Sequence, residues 1–216
     1  MKIPKLRELR EAVRSLFSKP YTSNFPFAPH EPFDGYRGKP QYFEDHCVGC
    51  GTCAEVCPAG AIRVIDPEAP VTRKNPVPAR RLEVWYDMCN FCGNCQANCI
   101  TEKGIQLTKQ YDMACFDRKR AMESIELELA VCDLCHAVIT PKSHLRWLAR
   151  RLGTLAYGNP TLLMTSQREL ISVESGIPGE ELRRPDIFKI LCTKCRHEVM
   201  LKDIWGEQYD THPEKR

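Results

Sequence analysis

The strongest constraint on this chain is a run of cysteines that occurs twice with the same spacing. The first copy is formed by Cys47, Cys50, Cys53 and Cys57. The second copy is formed by Cys89, Cys92, Cys95 and Cys99. Two thiolates separated by two residues chelate a metal more readily than they form a disulfide, so the repeat predicts metal coordination.

The geometry of this spacing indicates which cysteines act together. In such a run the first three thiolates wrap one [4Fe–4S] cluster, and the fourth points away and ligates the other cluster. We therefore expect the first cluster to be held by Cys47, Cys50, Cys53 and Cys99. We expect the second cluster to be held by Cys89, Cys92, Cys95 and Cys57. Zinc ligands or plain buried thiols are the alternative, which the doubled spacing disfavours.

The residues around the cysteines support this interpretation, with one departure. Gly49, Gly51 and Gly93 would let the backbone close on a cluster and offer N–H donors to its sulfurs. Pro58 follows Cys57, but Ile100 stands where a second proline is expected. We expect this difference to affect fine geometry and reduction potential rather than ligation.

Composition narrows the class of protein. The chain has 216 residues, of which 43% are hydrophobic and 27% are charged, as is typical of a globular protein. Its net charge of +3 is too small to indicate a nucleic-acid partner. The basic N-terminus has no continuous apolar core, so we expect no secretory signal and a reducing cytosol in which the 13 cysteines bind metal.

We predict three segments in an α+β chain. Residues 1–41 contain an amphipathic basic helix over about 1–20, followed by a proline-rich docking strap. Residues 42–109 form a bacterial-type two-[4Fe–4S] ferredoxin domain with short strands over 62–65, 82–86 and 105–107. Residues 110–216 form a C-terminal extension, with a strand over 125–129 and helices around 141–152 and 160–171.

Two further cysteine pairs lie at the two ends of the extension. They are Cys132, Cys135, Cys192 and Cys195. Two such knuckles brought together form a closed tetrahedral site suited to structural Zn²⁺, and a helical insertion over 141–190 would explain their wide separation. A rubredoxin-like iron or an empty site is an alternative. Cys132 to His136 also matches a haem attachment signature, but haem attachment would need export.

Three residues outside these sets have simple interpretations. Cys115 is expected to be a buried free thiol. His136 and His197 are expected to lie on the surface or behind the metal ligands.

The order of these motifs resembles a known family. A proline-rich strap ends at Tyr36-Arg37-Gly38-Lys39-Pro40, the doubled motif follows, and then come Leu107 to Tyr111 and the two downstream pairs. This order resembles the small two-[4Fe–4S] subunit of formate hydrogenlyase and related membrane-bound [NiFe] hydrogenases. The first half is also similar to the corresponding subunit of respiratory complex I.

The resemblance implies a place in a larger assembly. It implies an electron-relay subunit, peripheral on the cytoplasmic face of the membrane, between an electron-input iron–sulfur subunit and a hydrogenase-type subunit with a proximal cluster. It implies no catalytic residue in this chain. The alternatives are the equivalent subunit of a complex I-like or sulfur-reducing respiratory complex, a free soluble ferredoxin, and a zinc-ribbon interaction module.

Overall fold

The structure, a computed structural model, describes residues 5–28, 30–68, 71, 77–171 and 187–205. It divides into two compact units, residues 1–36 and residues 37–216. The boundary between residues 36 and 37 lies inside the first predicted segment, residues 1–41. The organisation into three segments stays a prediction. The described residues mix helices with antiparallel sheets, which agrees with the predicted α+β class.

The described residues of the first unit contain one helix, α1, over Leu6–Phe17. The helix starts where Lys5 donates its backbone N–H to the Glu8 carboxylate at 3.1 Å. Its apolar stripe is exposed and consists of Leu6, Leu9, Val13, Leu16 and Phe17. The first four residues of the predicted helix, and Pro29 of the strap, lie outside the described residues.

The second unit begins with the two halves of the cysteine repeat. The first half contains β1 (Pro40–Tyr42), a single helical turn α2 (Thr52–Glu55) and β2 (Ile62–Ile65). The second half contains β3 (Ala79–Trp85), the turn α3 (Asn94–Ala97) and β4 (Ile105–Leu107). The predicted strands over 62–65 and 105–107 are thereby confirmed. Part of the loop predicted over 66–81 lies outside the described residues.

The rest of the second unit contains two strands and three α-helices among the described residues. They are β5 (Met122–Val131), β6 (Val138–Pro141), α4 (Lys142–Leu152), α5 (Pro160–Ile171) and α6 (Thr193–Trp205). The predicted strand over 125–129 and the predicted helices after Thr140 and Asn159 are confirmed. The predicted insertion over 141–190 is described only in part, because residues 172–186 lie outside the described ranges.

Two antiparallel sheets arrange these strands. β1 pairs with β4, with Tyr42 opposite Ile105. The second sheet has the order β2-β3-β5-β6, and in it Ile62 lies opposite Val84. Because β5 pairs along the full length of β3, the C-terminal extension continues the sheet of the cysteine repeat.

Apolar burial fixes this arrangement. Leu82, Val84 and Ile125 are almost fully buried and form a core with Tyr42 and Ile105 between the two sheets' strands. A second cluster, formed by Ala130, Leu145, Ala156 and Leu162, packs α4 and α5 against β5. The extension therefore has apolar packing of its own on the sheet.

Two glycines show how tightly the segments approach each other. Gly49 has a φ of +68°, and a Cβ at this position would lie 2.7 Å from the Leu127 side chain of β5. A Cβ on Gly38 would lie 2.3 Å from the carbonyl oxygen of Gln110, beyond the end of β4. Larger residues at either position would push apart segments that the sheets hold together.

Candidate metal centres

The first cavity joins both copies of the cysteine repeat. Its lining contains three cysteines of the first copy and the last cysteine of the second copy, namely Cys47, Cys50, Cys53 and Cys99. The space not filled by atoms is about 300 Å³, part of it open to solvent. Ile100, which stands in the expected proline position, also lines this cavity.

The second cavity has the reciprocal composition. Its lining contains three cysteines of the second copy and the last cysteine of the first copy, namely Cys89, Cys92, Cys95 and Cys57. Its unfilled space is about 370 Å³. The structure thus brings together the same two sets of four that the spacing predicts, while their ligation of clusters stays a prediction.

Short helical turns explain this exchange. α2 starts after Gly51, whose φ of +81° turns the chain inward, and α3 starts after Gly93 with a φ of +84°. Each turn contains the third cysteine of its motif, Cys53 in α2 and Cys95 in α3, and both are buried. The fourth cysteine follows the end of the turn and lines the other cavity.

The thiols are held in surroundings that disfavour a free thiolate. Burial raises the pKa of Cys53 to about 12, and neighbouring cysteines add to this rise. Burial likewise raises the pKa of Cys47 and of Cys95 to about 11. A bound cation reverses this preference because it stabilises the thiolate, so metal binding would release protons from these groups.

Cys99 differs from these three cysteines. Burial alone would raise its pKa, but hydrogen bonds from the Thr101 side chain and from nearby backbone N–H groups outweigh burial and lower it. The four thiols of each cavity are the ligands that a [4Fe–4S] cluster requires, so the residues present fit this cofactor.

Two arginines brace the loops around the cavities. Arg80 on β3 donates to the backbone carbonyl of Gly49 at 2.9 Å, and the Asp66 carboxylate holds its guanidinium through two contacts of 2.7 Å. Arg37 donates to the backbone carbonyl of Cys92, also at 2.9 Å. The sequence analysis missed both arginines. They do not occupy equivalent places, because at the 42-residue offset of the two copies Arg37 corresponds to Ala79 and Arg80 to Gly38, so the repeat gave no signal for them.

The C-terminal cysteines form a third centre. The four Sγ atoms of Cys132, Cys135, Cys192 and Cys195 all lie within 4.8 Å of one another. Cys135 Sγ and Cys192 Sγ are 3.7 Å apart. Tetrahedral zinc with Zn–S bonds of about 2.3 Å separates its sulfurs by about 3.8 Å, so this thiol set fits Zn²⁺.

Backbone groups and one carboxylate position this centre. The pKa of Cys132 falls to about 7, because N–H donors from Cys135, Cys192 and Leu134 outweigh the effect of burial. Asp133 accepts from the backbone N–H of Ile190 at 2.6 Å and pairs with Arg168 on α5 at 2.6 Å. Asp133 thereby joins the first knuckle to α5 and to the residue just before the second knuckle.

The remaining cysteine and the two histidines lie elsewhere. Cys115 is exposed, so the expectation of a buried thiol was wrong. It lies between β4 and β5 in a stretch without regular structure, where few side chains cover it. His136 and His197 are exposed and lie on the surface.

Comparison with known proteins supports the iron–sulfur interpretation. Residues 40–63 match the family model described as "4Fe-4S binding domain". NAD(P)H-quinone oxidoreductase subunit I of Gloeobacter violaceus is 30% identical over 101 residues, which cover 46% of this chain and 46% of that protein. NADH-quinone oxidoreductase subunit I 2 of Geobacter metallireducens is 29% identical over 123 residues, covering 55% of this chain and 91% of that protein.

Formate hydrogenlyase subunit 6 of Escherichia coli is also similar. It is 37% identical over 43 residues, which cover 20% of this chain and 24% of that protein. The predicted resemblance is confirmed. The chain resembles the iron–sulfur subunits of complex I-like and hydrogenase-like complexes. It spans about half the length of the Gloeobacter relative.

A solved structure of the membrane-bound sulfane sulfur reductase, an archaeal respiratory membrane complex, contains a chain with 26% sequence identity. The match covers 56% of this chain and 61% of that chain. Its TM-score of 0.37 is too low to indicate a shared overall fold. Among the residues that the structure describes, no helix is both long enough and apolar enough to cross a membrane.

Proposed function

We propose that this chain is an electron-relay subunit with two [4Fe–4S] clusters, one in each of the cavities described above. The observation that carries this proposal is the reciprocal exchange of Cys57 and Cys99, which gives each cavity four thiols. The clusters supply one-electron chemistry when bound. This chain's own residues hold them, exclude part of the solvent and set the surroundings of their sulfurs.

The two cavities favour transfer between the clusters. Cys53 of the first cavity and Cys95 of the second are both buried and belong to the same apolar core as Tyr42. A cluster in each cavity would therefore be separated from the other by packed side chains rather than by bulk water. An electron from a reduced iron–sulfur donor could enter at one cluster and leave from the other.

We further propose that the chain works as a bound subunit of a membrane respiratory complex, peripheral on its cytoplasmic side. The similarity to two subunits I and to formate hydrogenlyase subunit 6 supports a complex of this general kind. The exposed apolar stripe of α1 offers a surface for docking within such a complex. The partners would be an electron-input iron–sulfur subunit and a subunit that receives electrons.

Two kinds of complex are candidates, a membrane-bound hydrogenase and a complex I-like assembly. The hydrogenase assignment rests on the strap, the downstream cysteine pairs and the match to formate hydrogenlyase subunit 6. A complex I-like assembly is favoured by the length of the similarity to subunit I, which reaches 123 residues against 43. Purification of the native complex decides between them, because a co-purifying nickel-containing subunit would support a hydrogenase and its absence from an intact complex would exclude it.

For the C-terminal centre we propose one structural Zn²⁺, bound by the four cysteines gathered there. The 3.7 Å separation of Cys135 Sγ and Cys192 Sγ supports a tetrahedral thiolate site. Because rubredoxin-like iron uses the same ligands, elemental analysis must distinguish the two metals.

The experiment that tests the cluster proposal is anaerobic purification followed by iron and sulfide analysis. Two cubanes require about eight irons and eight sulfides per chain. Reduction should give an electron paramagnetic resonance spectrum that shows magnetic coupling between two nearby clusters. About four irons per chain, or a [2Fe–2S] spectrum, would contradict the proposal.

A further inference from the structure

The two cavities differ in the side chains that reach their sulfurs. In the first cavity, Thr52 Oγ1 lies 3.3 Å from Cys50 Sγ. Thr101 Oγ1 lies 3.3 Å from Cys99 Sγ. A cysteine bound to iron carries no proton, so in each of these pairs the hydroxyl must be the donor once a cluster is present.

A third hydroxyl faces the same cavity. Tyr42 is only 7% exposed and lines the first cavity, where its hydroxyl interacts most strongly with the thiol of Cys53 and less strongly with Cys95 of the second cavity. Tyr42 Oη nevertheless lacks a hydrogen-bond partner of good geometry among the described residues. A buried donor without a partner is costly, and a sulfur of a bound cluster or of Cys53 as thiolate would give it one.

The repeat allows a direct comparison with the second cavity. Each cysteine of the second copy lies 42 positions after its counterpart, from Cys47 to Cys89 and from Cys57 to Cys99. At this offset, Tyr42, Thr52 and Thr101 correspond to Val84, Asn94 and Ala59. The strand pairings support the match of Tyr42 with Val84, because Tyr42 lies opposite Ile105 and Val84 lies opposite Ile62. Between the last cysteine and this isoleucine the second copy has one residue more than the first.

The second cavity therefore has no hydroxyl in its described lining. Among the described contacts its sulfurs receive backbone N–H groups, from Ala61 to Cys57 at 3.3 Å and from Phe91 to Cys89 at 3.4 Å. The sulfurs of the first cavity receive backbone N–H groups too, so the hydroxyls are the difference. Asn94 replaces a threonine, but its side chain is exposed. The arginines do not create the same contrast, since Arg37 and Arg80 each donate to one loop carbonyl.

We propose that Tyr42, Thr52 and Thr101 are a hydroxyl set that donates to the sulfurs of the first cluster and selectively raises its reduction potential. This inference rests on the proposed function, since it requires a cluster in each cavity. Reduction adds one electron and one negative charge to the cluster. Donors to sulfur stabilise the more negative state more strongly, so their loss must lower the potential.

The inference assigns different tasks to the two halves of the repeat. An electron supplied by a reduced iron–sulfur donor is held more strongly in the first cavity than it would be without the hydroxyls. The second cluster keeps a potential set by backbone donors, by the exposure of Cys92 and by the nearby Arg37. The hydroxyl set thus biases the position of an electron between two clusters that share the same ligand spacing.

The test is a potentiometric titration of the full chain, in which electron paramagnetic resonance measures the reduced fraction of each cluster. The variants Tyr42→Phe, Thr52→Val and Thr101→Val remove one hydroxyl each with little change in shape. We expect Thr52→Val and Thr101→Val to lower the potential of one cluster and to leave the other unchanged. We expect Tyr42→Phe to lower the potential of the same cluster by more than that of the other. For the triple variant we expect at least a tenfold decrease in the equilibrium constant for reduction, which is about 59 mV for one electron.

Three controls separate a hydroxyl effect from general damage. Thr108→Val removes a hydroxyl that donates to the Lys39 carbonyl at 2.9 Å, so both potentials should stay unchanged. Thr101→Ser keeps a hydroxyl, so its reduction potential should lie closer to that of the wild type than to that of Thr101→Val. Ala59→Thr adds a hydroxyl at the corresponding place in the second cavity and should raise the potential of the other cluster.

Iron and sulfide are measured on the same samples, so that two kinds of failure are distinguishable. A wild-type chain with fewer than two clusters contradicts the proposed function. Full clusters with unchanged potentials in the triple variant overturn the hydroxyl set alone. Equal shifts of both clusters overturn it as well, because a general change in packing would act on both.

Discussion

The carboxylate of Glu123 on β5 accepts a hydrogen bond of 2.8 Å from Tyr86 Oη, just beyond the end of β3. Its other oxygen accepts from the backbone N–H of Tyr42 on β1 at 3.1 Å. Burial, followed by the hydrogen bond to Glu123, raises the pKa of Tyr86, so the phenol stays protonated and keeps donating. One side chain of the extension therefore ties together both halves of the cysteine repeat.

Replacement of Glu123 should destabilise the protein. In Glu123→Ala, the N–H of Tyr42 loses its acceptor in a partly buried place, at a cost of about 1–3 kcal/mol, while the hydroxyl of Tyr86 keeps only the Pro40 carbonyl at 3.1 Å. For a chain of this size, each kcal/mol corresponds to a fall in melting temperature of about 2–4 °C. The exposed Glu126 on the same strand provides the control, and Glu126→Ala should melt within about 1 °C of the wild type. Equal melting of both variants would show that the Glu123 contacts contribute nothing.

The exchange of ligands between the two motifs predicts which variants share a spectrum. Cys57→Ala removes a thiol from the cavity that also contains Cys89, although the two belong to different motifs. Its remaining cluster should therefore have the same magnetic resonance spectrum and potential as that of Cys89→Ala. Cys53→Ala removes a thiol from the first cavity. Its remaining cluster should therefore be the one in the second cavity, with a different spectrum from that of Cys57→Ala. If Cys57→Ala instead resembled Cys53→Ala, each motif would hold its own cluster.

Loss of zinc should loosen the extension without affecting the clusters. We expect about one zinc per chain, and Cys192→Ser should release it and make residues 110–216 more sensitive to protease, because a structural metal supplies folding energy directly. Both iron clusters should keep their spectra, since zinc has no redox chemistry. The control is Cys115→Ser, which changes an exposed cysteine outside the centre. A chain that contains no zinc, or a Cys192→Ser variant that loses iron or a redox signal, contradicts this expectation.

Removal of the first unit should separate docking from cofactor binding. All eight predicted cluster ligands lie in the unit of residues 37–216, so deletion of residues 1–36 should leave both clusters formed. The exposed stripe of α1 is lost, and the truncated subunit should elute apart from its complex in size-exclusion chromatography. A milder variant, Leu9→Asp, tests the same stripe within the complete chain. Full assembly of both variants would exclude α1 as the docking element.

The sequence was sufficient for the elements that repeat or alternate. The cysteine spacing predicted both sets of four, and alternating apolar residues predicted the strand around Ile125. The partner of that strand could not be predicted, because a period of two residues identifies a buried face but not the strand that lies beside it. The extension was therefore treated as a separate segment, whereas β5 in fact pairs with β3.

The side-chain contacts with the cysteines could not be predicted from the sequence either. Thr52 and Thr101 lie two residues from cysteines, as many threonines do by chance, and only the structure shows contacts of 3.3 Å to sulfur. Nothing in the sequence distinguished Tyr42 from the other aromatic residues of the chain. The exposure of Cys115 was missed because cysteines are usually buried, and nothing nearby in the sequence indicated an irregular surface stretch.

The shared cavities also have a consequence for biosynthesis. With the proposed ligands, Cys47, Cys50 and Cys53 leave the ribosome long before Cys99, which completes their set. Cys57 must likewise wait for Cys89, Cys92 and Cys95. The first cofactor cannot reach its final coordination on a nascent chain that ends before residue 99, and the second cannot on one that ends before residue 95. Delivery of either cluster would then have to follow translation of nearly the whole repeat.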